Sequence, residues 1–326
     1  MIKTEYIMLS DAQIGDTFTR PLLVTAITEG NSKNGKTYCR VSLSDGLSEE
    51  TAMLFDTSEE ILFHSGIKKG VVADASLSVT EYQGGRSFRI NSVVPTADPY
   101  ICPEDLIKGP PIEPAVMYEE ICSLVRSTAN DYNGKYEPLS ELALRILEDN
   151  KDRYMTSSAA ISMHHNFKGG LLYHSYRMIK ASDALCTVYT DLDRELLLSA
   201  TALHDIGKIW EYRTDELGEA EQTSAGFLFG HLYMGAALIK GYTTGHNYNT
   251  EKVQMLIHLI LSHHGTQEFG AVTCPAIPEA FVLHHVDNID AKLYMCENFY
   301  ESLGPGGSTE KRPFGLDNRI YKPKYE

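Results

Sequence analysis

The first third of the chain follows the two-residue period of β-strands. From about residue 10 to residue 95, β-branched and aromatic residues alternate with polar ones, and turn-forming residues separate the runs. The clearest separator is Asn34-Gly35, a dipeptide typical of hairpin turns. A short helix is predicted at 58–64. Strands are predicted at 18–28, 37–43, 51–55, 71–80 and 87–94.

A proline-rich stretch then interrupts the pattern, and helical spacing of apolar residues begins after it. The segment from Met155 to Phe167 is left open between helix and irregular structure. The domains expected are a barrel domain at 1–95, a linker at 96–114, a helical domain at 115–303 and a C-terminal arm at 304–326. Helices are predicted at 115–129, 138–150, 171–189, 193–206, 229–241, 250–264 and 278–302.

The order of three strands, a short helix and two strands resembles the OB-fold, a small barrel that commonly binds single-stranded nucleic acid. The predicted fold class is therefore a multidomain protein, with an N-terminal all-β OB-fold-like barrel followed by an all-α domain. Candidate substrate-binding residues on the barrel are Tyr38, Arg40, Phe55 and Arg86. For Phe55 and Phe88, packing inside the barrel is the alternative interpretation.

The stretch with the most chemistry is Ala202-Leu203-His204-Asp205-Ile206-Gly207-Lys208. An imidazole and a carboxylate inside an apolar run are unusual, because ionisable groups are rarely buried unless they are paired or bind metal. Adjacent residues of a helix do not face each other, so His204 and Asp205 are predicted to bind a cation from two sides. Further ligand candidates in chain order are His174, His231, His263, His264 and Asp287.

This ordered H…HD…H…HH…D pattern, with Gly207-Lys208 directly after the HD pair, resembles the HD-domain metal-dependent phosphohydrolases. The longer form of the pattern is similar to HD proteins that hold two metal ions. For the first ion, the resemblance implies the ligands His174, His204, Asp205 and Asp287. For the second ion, it implies His231, His263 or His264, and a bridging oxygen of Asp205. The choice between His263 and His264 stays open.

Nitrogen and oxygen ligands without a thiolate favour Mn²⁺ or Fe²⁺ over structural zinc, and they do not exclude Co²⁺. Two ions about 3.5–4 Å apart would lower the pKa of a shared water and stabilise both oxygens of an in-line displacement at phosphorus. Asp205 and Lys208 are the catalytic candidates, and Lys208 is placed to bind a phosphate oxygen or support the leaving group. A solvated lysine at a helix end is the alternative.

Before Gly169-Gly170, His165 and Lys168 are candidate phosphate contacts, since glycines permit close approach of the backbone to a phosphate. A simple turn into the next helix would explain the same glycines. His284 and His285 are interpreted as packing residues or as partners of the ligands.

An OB-like barrel ahead of an HD domain resembles the YhaM-type 3′→5′ exoribonucleases of Gram-positive bacteria over about residues 10–300. The resemblance implies hydrolytic release of nucleoside 5′-monophosphates from the 3′ end of single-stranded RNA, usually with Mn²⁺, and leaves single-stranded DNA open. The matching stretches are Asn34-Gly35-Lys36, His165-Asn166-Phe167-Lys168-Gly169-Gly170-Leu171-Leu172-Tyr173-His174, His204-Asp205-Ile206-Gly207-Lys208, Gly230-His231 and Ser262-His263-His264-Gly265.

Two alternatives remain: an HD-domain nucleotide or cyclic-dinucleotide phosphohydrolase, and a non-catalytic single-strand-binding protein with a vestigial HD domain. The net charge of −15 argues against a broad basic surface for duplex DNA. Six scattered cysteines without a CxxC pair predict reduced, mostly buried thiols. Without a signal-peptide pattern or a membrane-length apolar run, a cytoplasmic protein with no membrane partner is expected. Homo-oligomerisation is left open.

Overall fold

A computed structural model describes residues 6–32, 34–82, 85–129, 134–159, 167–313 and 315–325. The chain forms two compact units, Met1–Gly109 with Cys296–Glu326, and Pro110–Met295. The first unit contains a closed five-stranded barrel and the second is helical, so the predicted fold class is confirmed.

The barrel is built from β1 (Thr17–Asn31), β2 (Thr37–Ser44), β3 (Glu49–Phe55), β4 (Val72–Tyr82) and β5 (Gly85–Pro95). The strands close in the order β1-β2-β3-β5-β4, and the β3–β5 pair alone among these pairings is parallel. Helix α1 (Glu59–His64) follows β3, and Ser58 caps its first turn by accepting a hydrogen bond from the Ile61 amide.

Alternation along the strands separates the barrel core from its outer face. In β2, Cys39 and Val41 point inward and are fully buried, and Phe88 of β5 is also in the core. Phe55, at the end of β3, is instead 46% exposed, so the interpretation of Phe55 as a core residue is wrong. Phe55 is the cross-strand partner of Tyr38, whereas the inward-pointing Ala52 of β3 is the partner of Val41, so alternation places the Phe55 ring on the outer face.

The second unit contains helices whose apolar faces share one core. Up to the HD motif the helices are α2 (Pro114–Arg126), α3 (Leu139–Asp149), α4 (Lys151–Thr156), α5 (Gly170–Val188) and α6 (Arg194–Leu203). After it come α7 (Lys208–Glu211), the hairpin β6 (Tyr212–Thr214) and β7 (Ala220–Gln222), α8 (Ser224–Tyr242), α9 (Thr250–Ser262) and α10 (Pro278–Ser302).

Helix α6 lies at the centre of this core, since every residue from Glu195 to Leu203 is buried. Its one buried charge, Glu195, accepts hydrogen bonds at 3.1 Å from the amide and the hydroxyl of Ser140 in the first turn of α3. Lys252 lies 3.6 Å from the same carboxylate. These contacts compensate the buried charge and fix α6, which ends directly at the HD motif.

The predicted helices are present, but local features differ from prediction. The helix predicted at 193–206 ends at Leu203, and α7 begins at Lys208. The β6–β7 hairpin was not predicted. Helix α8 begins five residues earlier than expected and is interrupted at Gly230, whose φ of 68° and ψ of 157° lie in a region that glycine alone adopts readily.

All six cysteines are free, as predicted, but only Cys39 and Cys122 are buried, so the prediction of mostly buried thiols is wrong. Within the described ranges, none of the helices combines the length and apolar character needed to cross a bilayer.

Candidate active site

Five segments of the helical unit bring the predicted metal ligands together. His174 lies in the second turn of α5, and His204 and Asp205 form the turn between α6 and α7. His231 follows the interruption in α8, and His263 and His264 follow the last turn of α9. Asp287 lies within α10. Four of these segments are joined through one carboxylate, that of Asp205.

The first cluster contains His174, His204 and Asp205, all buried. The Nε2 atoms of His174 and His204 are 3.2 Å apart, and Nε2 of His204 is 3.2 Å from Oδ2 of Asp205. Asp287 adds an oxygen 3.3 Å from Nε2 of His174. Two imidazole nitrogens and two carboxylates therefore face the same point.

The second cluster contains His231, His263 and His264. The Nε2 atoms of His231 and His264 are 3.2 Å apart. Asp205 lies between the clusters, because its Oδ1 is 3.4 Å from Nε2 of His231 and 3.6 Å from Nε2 of His263. Each oxygen of this carboxylate thus faces a different cluster.

The hydrogen bonds on the far side of the rings define which nitrogens are ligands. The Nδ1 atoms of His204 and His263 donate to the carbonyls of Thr201 and Ile260, both at 2.8 Å. In a neutral ring the proton on Nδ1 leaves a lone pair on Nε2, so these Nε2 atoms are available to a metal.

The donor atoms of the site fit divalent cations. Among the described residues, Oδ1 of Asp205 and Nδ1 of His264 are buried side-chain atoms without a hydrogen bond. Lone pairs that face each other at 3.2 Å repel unless a positive charge lies between them. The two clusters thus provide nitrogen and carboxylate ligands for divalent metal.

The pKa shifts of these side chains also fit a site that attracts positive charge. Burial lowers the pKa of His174, but hydrogen bonds to Asp287 and Asp290 outweigh it and raise that pKa to about 9. Burial raises the pKa of Asp205, but the charges of Lys208 and His204 outweigh burial and hold it well below its usual range. Burial, and then the charges of His263 and His231, lower the pKa of His264 to about 3, which keeps its ring neutral.

Lys208 lies inside the site rather than in solvent. It is 8% exposed, and its Nζ is 2.7 Å from Oδ2 of Asp205. Helix α6 ends at Leu203 and α7 begins at Lys208, so His204 and Lys208 do not share one continuous helix. Lys208 instead reaches the carboxylate from the first turn of α7, three residues after Asp205.

The residues directly before α5 fit the interpretation of a simple turn into the helix. Gly169 precedes α5 with a φ of 81°, which favours glycine. Lys168 packs against the hairpin tip, since a Cβ on Gly218 would lie 2.6 Å from the Lys168 amide nitrogen. His165 lies outside the described residues, and a substrate role for Lys168 stays a prediction.

On the barrel, Tyr38, Arg40 and Phe55 share the outer face formed by β2, β3 and β5. Tyr38 and Phe55 are cross-strand partners, with ring centroids 6.2 Å apart. Arg40 lies 5.6 Å from the centre of the Tyr38 ring, and Arg89 lies 5.4 Å from that of Phe55. We call Tyr38, Arg40, Phe55 and Arg89 the aromatic face.

Arg86 makes structural contacts within the barrel unit, and a substrate contact by Arg86 stays a prediction. Its Nη1 donates to the carbonyls of Ser10 at 2.7 Å and Ala12 at 2.9 Å, and its Nη2 lies 3.3 Å from Glu50. These contacts hold the segment before β1 against the barrel.

Sequence reasoning missed three charged residues behind the ligands. Glu211 accepts a hydrogen bond from Nδ1 of His231, Asp290 accepts one from Nδ1 of His174, and Arg177 pairs with Asp290. Asp290 and Arg177 each lie one helical turn after a ligand, which is the signal that could have found them. Glu211 is the last residue of α7, and the sequence pattern gave no sign that this position is buried.

The other histidines divide between the site and the surface. Nδ1 of His284 donates to the carbonyl of His263 at 2.8 Å, which supports the ligand segment, whereas His285 is exposed. His64 is an exposed residue of α1. His246 contacts Glu137 and Arg145, and His258 accepts a hydrogen bond from the Ala276 amide.

Comparison with known proteins agrees with this geometry. Residues 171–292, which include all the clustered ligands, match the HD domain family. The 3′-5′ exoribonuclease YhaM of Bacillus subtilis (strain 168) is 30% identical over 317 residues, or 96% of this chain and 97% of the relative. The 3′-5′ exoribonuclease YhaM of Halalkalibacterium halodurans is 30% identical over 315 residues, or 96% and 95%. With both units covered at this identity, the chain belongs to the YhaM family of 3′-5′ exoribonucleases.

Proposed function

We propose that this protein is a metal-dependent 3′-5′ exoribonuclease that hydrolyses single-stranded RNA and releases nucleoside 5′-monophosphates. The observation that carries the proposal is the position of Asp205, one buried carboxylate whose two oxygens face two histidine clusters. Two relatives that match 96% of this chain are named 3′-5′ exoribonucleases. Single-stranded DNA is a second substrate to be measured.

In this proposal His174, His204, Asp205 and Asp287 hold one divalent ion, and His231, His263 and His264 hold a second, with Asp205 shared. When bound, two such ions would supply Lewis-acid chemistry that lowers the pKa of a water and offsets charge on the attacking and leaving oxygens. Manganese suits a site that combines imidazole and carboxylate ligands.

Lys208 supplies the positive charge that belongs to the chain itself. Its ammonium group is 2.7 Å from Asp205, so it offsets part of the acidic charge that an RNA phosphate would meet. From this position it is placed to donate a hydrogen bond to a phosphate oxygen. We assign Lys208 to phosphate binding and Asp205 to alignment of both ions.

The aromatic face of the barrel is proposed to bind the RNA upstream of the cleaved bond. Phe55 is 46% exposed, and guanidinium groups lie near both rings of the face. Stacking of bases on aromatic rings requires no sequence-specific contact and contributes about 1–3 kcal/mol per base. Because the protein carries a net charge of −15, such local contacts suit it better than a broad basic surface.

Oligoribonucleotides labelled at the 3′ end, incubated with Mn²⁺, test the proposal. We expect labelled mononucleotide as the first product, and a ladder of shortening products from the same RNA labelled at the 5′ end. A phosphorothioate at the last linkage should delay the first cleavage. His204→Ala should abolish the reaction, whereas His64→Ala, at an exposed histidine of α1, should leave it unchanged.

Two results would contradict the proposal. Internal fragments as the first products would identify an endonuclease. Hydrolysis of free nucleotides or cyclic dinucleotides, with intact oligomers, would identify the nucleotide phosphohydrolase alternative.

A further inference from the structure

Each histidine cluster has one imidazole that donates to a buried carboxylate outside the ligand set. Nδ1 of His231 donates to Glu211 at 2.6 Å, and Nδ1 of His174 donates to Asp290 at 2.7 Å. By contrast, His204 and His263 donate to neutral backbone carbonyls. One ligand in each cluster is therefore supported by a full negative charge.

The backbone of Glu211 is held firmly at the junction of α7 and β6. Its carbonyl accepts a hydrogen bond from the Thr223 amide at 2.9 Å. Gly226 packs so closely that an added Cβ would lie 2.3 Å from this carbonyl oxygen. The carboxylate is buried, which limits competition from water for the hydrogen bond to His231. Glu211 thus fixes both the orientation and the tautomer of this ring.

The two carboxylates differ in charge compensation. Asp290 is also bound to Arg177, whose Nε lies 2.6 Å from its Oδ1. For Glu211, the basic side chain that pairs with it in the described part of the chain is His231, and no lysine or arginine does so. A carboxylate without a second cation leaves more electron density on its imidazole, so His231 should depend on Glu211 more than His174 depends on Asp290.

We propose that Glu211 and Asp290 are positioning residues that control separate metal ions. Glu211 controls the ion held by His231, His263 and His264, and Asp290 controls the ion held by His174, His204 and Asp205. Carboxylate partners behind metal-binding histidines typically change metal affinity 10–100-fold. This inference rests on the two-ion part of the proposed function and concerns residues outside its ligand set.

Metal binding, measured without RNA, tests the inference. Chelator-treated protein is titrated with Mn²⁺, bound metal is counted after desalting, and electron paramagnetic resonance separates an isolated Mn²⁺ from a coupled pair. Glu211→Gln keeps the size and hydrogen-bonding capacity of the side chain but removes its charge. We expect Glu211→Gln to reduce the affinity for one ion about 10–100-fold. The spectrum of a coupled Mn²⁺ pair should then become that of an isolated ion.

Double variants identify which ion each carboxylate controls. Glu211→Gln combined with His264→Ala should lose no more metal than His264→Ala alone, because both act on the same ion. Combined with His174→Ala, it should weaken both ions. Asp290→Asn should add no further metal loss to His174→Ala, but combined with His264→Ala it should weaken binding of both ions. Alone, it should reduce metal affinity less than Glu211→Gln does. Glu211→Asp, which keeps the charge, should restore part of the affinity.

Matched controls separate these effects from general loss of charge. Glu221→Gln removes an exposed carboxylate of the same hairpin that pairs with Arg213, and Asp183→Asn removes one that pairs with Arg194. Both should bind two ions as the unchanged protein does. The inference would be overturned if Glu211→Gln lost both ions equally or kept its Mn²⁺ affinity unchanged. It would also be overturned if the unchanged protein bound a single ion. Two ions without RNA cleavage would instead refute the proposed function alone.

Discussion

Gly207, within the HD motif, allows α7 to approach α8 more closely than any other residue would permit. A Cβ at this position would lie 2.1 Å from the carbonyl oxygen of His231 and 2.9 Å from the Gly235 amide nitrogen. Both atoms belong to the backbone, so no side chain can rotate away to make room. Gly207→Ala therefore requires the two helices to separate by about 1 Å to restore ordinary contact.

This displacement would affect both stability and chemistry. Overpacking of a dense interior typically costs about 1–3 kcal/mol, and each kcal/mol lowers Tm by about 2–4 °C in a unit of this size. Gly207 lies two residues after Asp205 and contacts the backbone of His231, and the facing side-chain atoms of Asp205 and His231 are 3.4 Å apart. Because a misplacement of about 1 Å in a catalytic site can reduce the rate about 100-fold, Gly207→Ala should lose most RNA cleavage.

Thermal unfolding, manganese content and RNA cleavage should be measured together for Gly207→Ala. Gly241→Ala is the matched control, since an added Cβ at Gly241 in the same helix α8 has no atom within 4 Å. There the helix should be unchanged or stabilised by up to about 1 kcal/mol. If Gly207→Ala matched Gly241→Ala in Tm, metal content and rate, the close approach of α7 to α8 would not be what aligns the site.

Three further predictions concern other parts of the protein. Asp205→Asn removes the shared carboxylate charge, so both ions should be lost together in the Mn²⁺ titration, and retention of a coupled pair would contradict the bridging role. In chelator-treated protein, the folded state holds His264 neutral between its pKa of about 3 and its ordinary value of 6.5, while the unfolded chain takes up a proton. The free energy of unfolding should therefore rise with pH across this window. In urea unfolding, His264→Gln should reduce the slope of that free energy against pH by up to about 1.4 kcal/mol per pH unit. An unchanged slope would refute the depressed pKa of His264. Phe55→Ala should weaken binding of single-stranded RNA about 5- to 160-fold in a filter-binding assay, as expected for the loss of one stacked base. Phe63→Ala, at another exposed aromatic of the same unit, should leave binding unchanged.

Local patterns in the sequence were sufficient for the elements and for the ligand types. The alternating pattern predicted a strand at 37–43, and β2 spans Thr37–Ser44 with Cys39 and Val41 buried in the barrel core. The spacing of histidines and aspartates indicated a shared cation site, and these side chains do meet. Such features follow from the backbone period or from residue chemistry, which are local properties.

Long-range packing decided the features that the sequence left open. Pairing with Tyr38 places Phe55 on the outer face of the barrel, and Arg86 binds carbonyls of a segment more than 70 residues earlier in the chain. The interruption at Gly230 sets the direction of His231, yet a glycine inside an apolar helix has no single meaning in a sequence.

The sequence by itself determined a β-barrel followed by helices, and a set of nitrogen and oxygen ligands suited to divalent metal. Only the tertiary structure decided that Asp205 faces both clusters, and that Glu211 and Asp290 lie behind different ligands. The physical reason is that a side chain's chemistry is a property of its residue. Its hydrogen-bond partner instead depends on which helices pack against it, and for His174 that partner, Asp290, is 116 residues away along the chain.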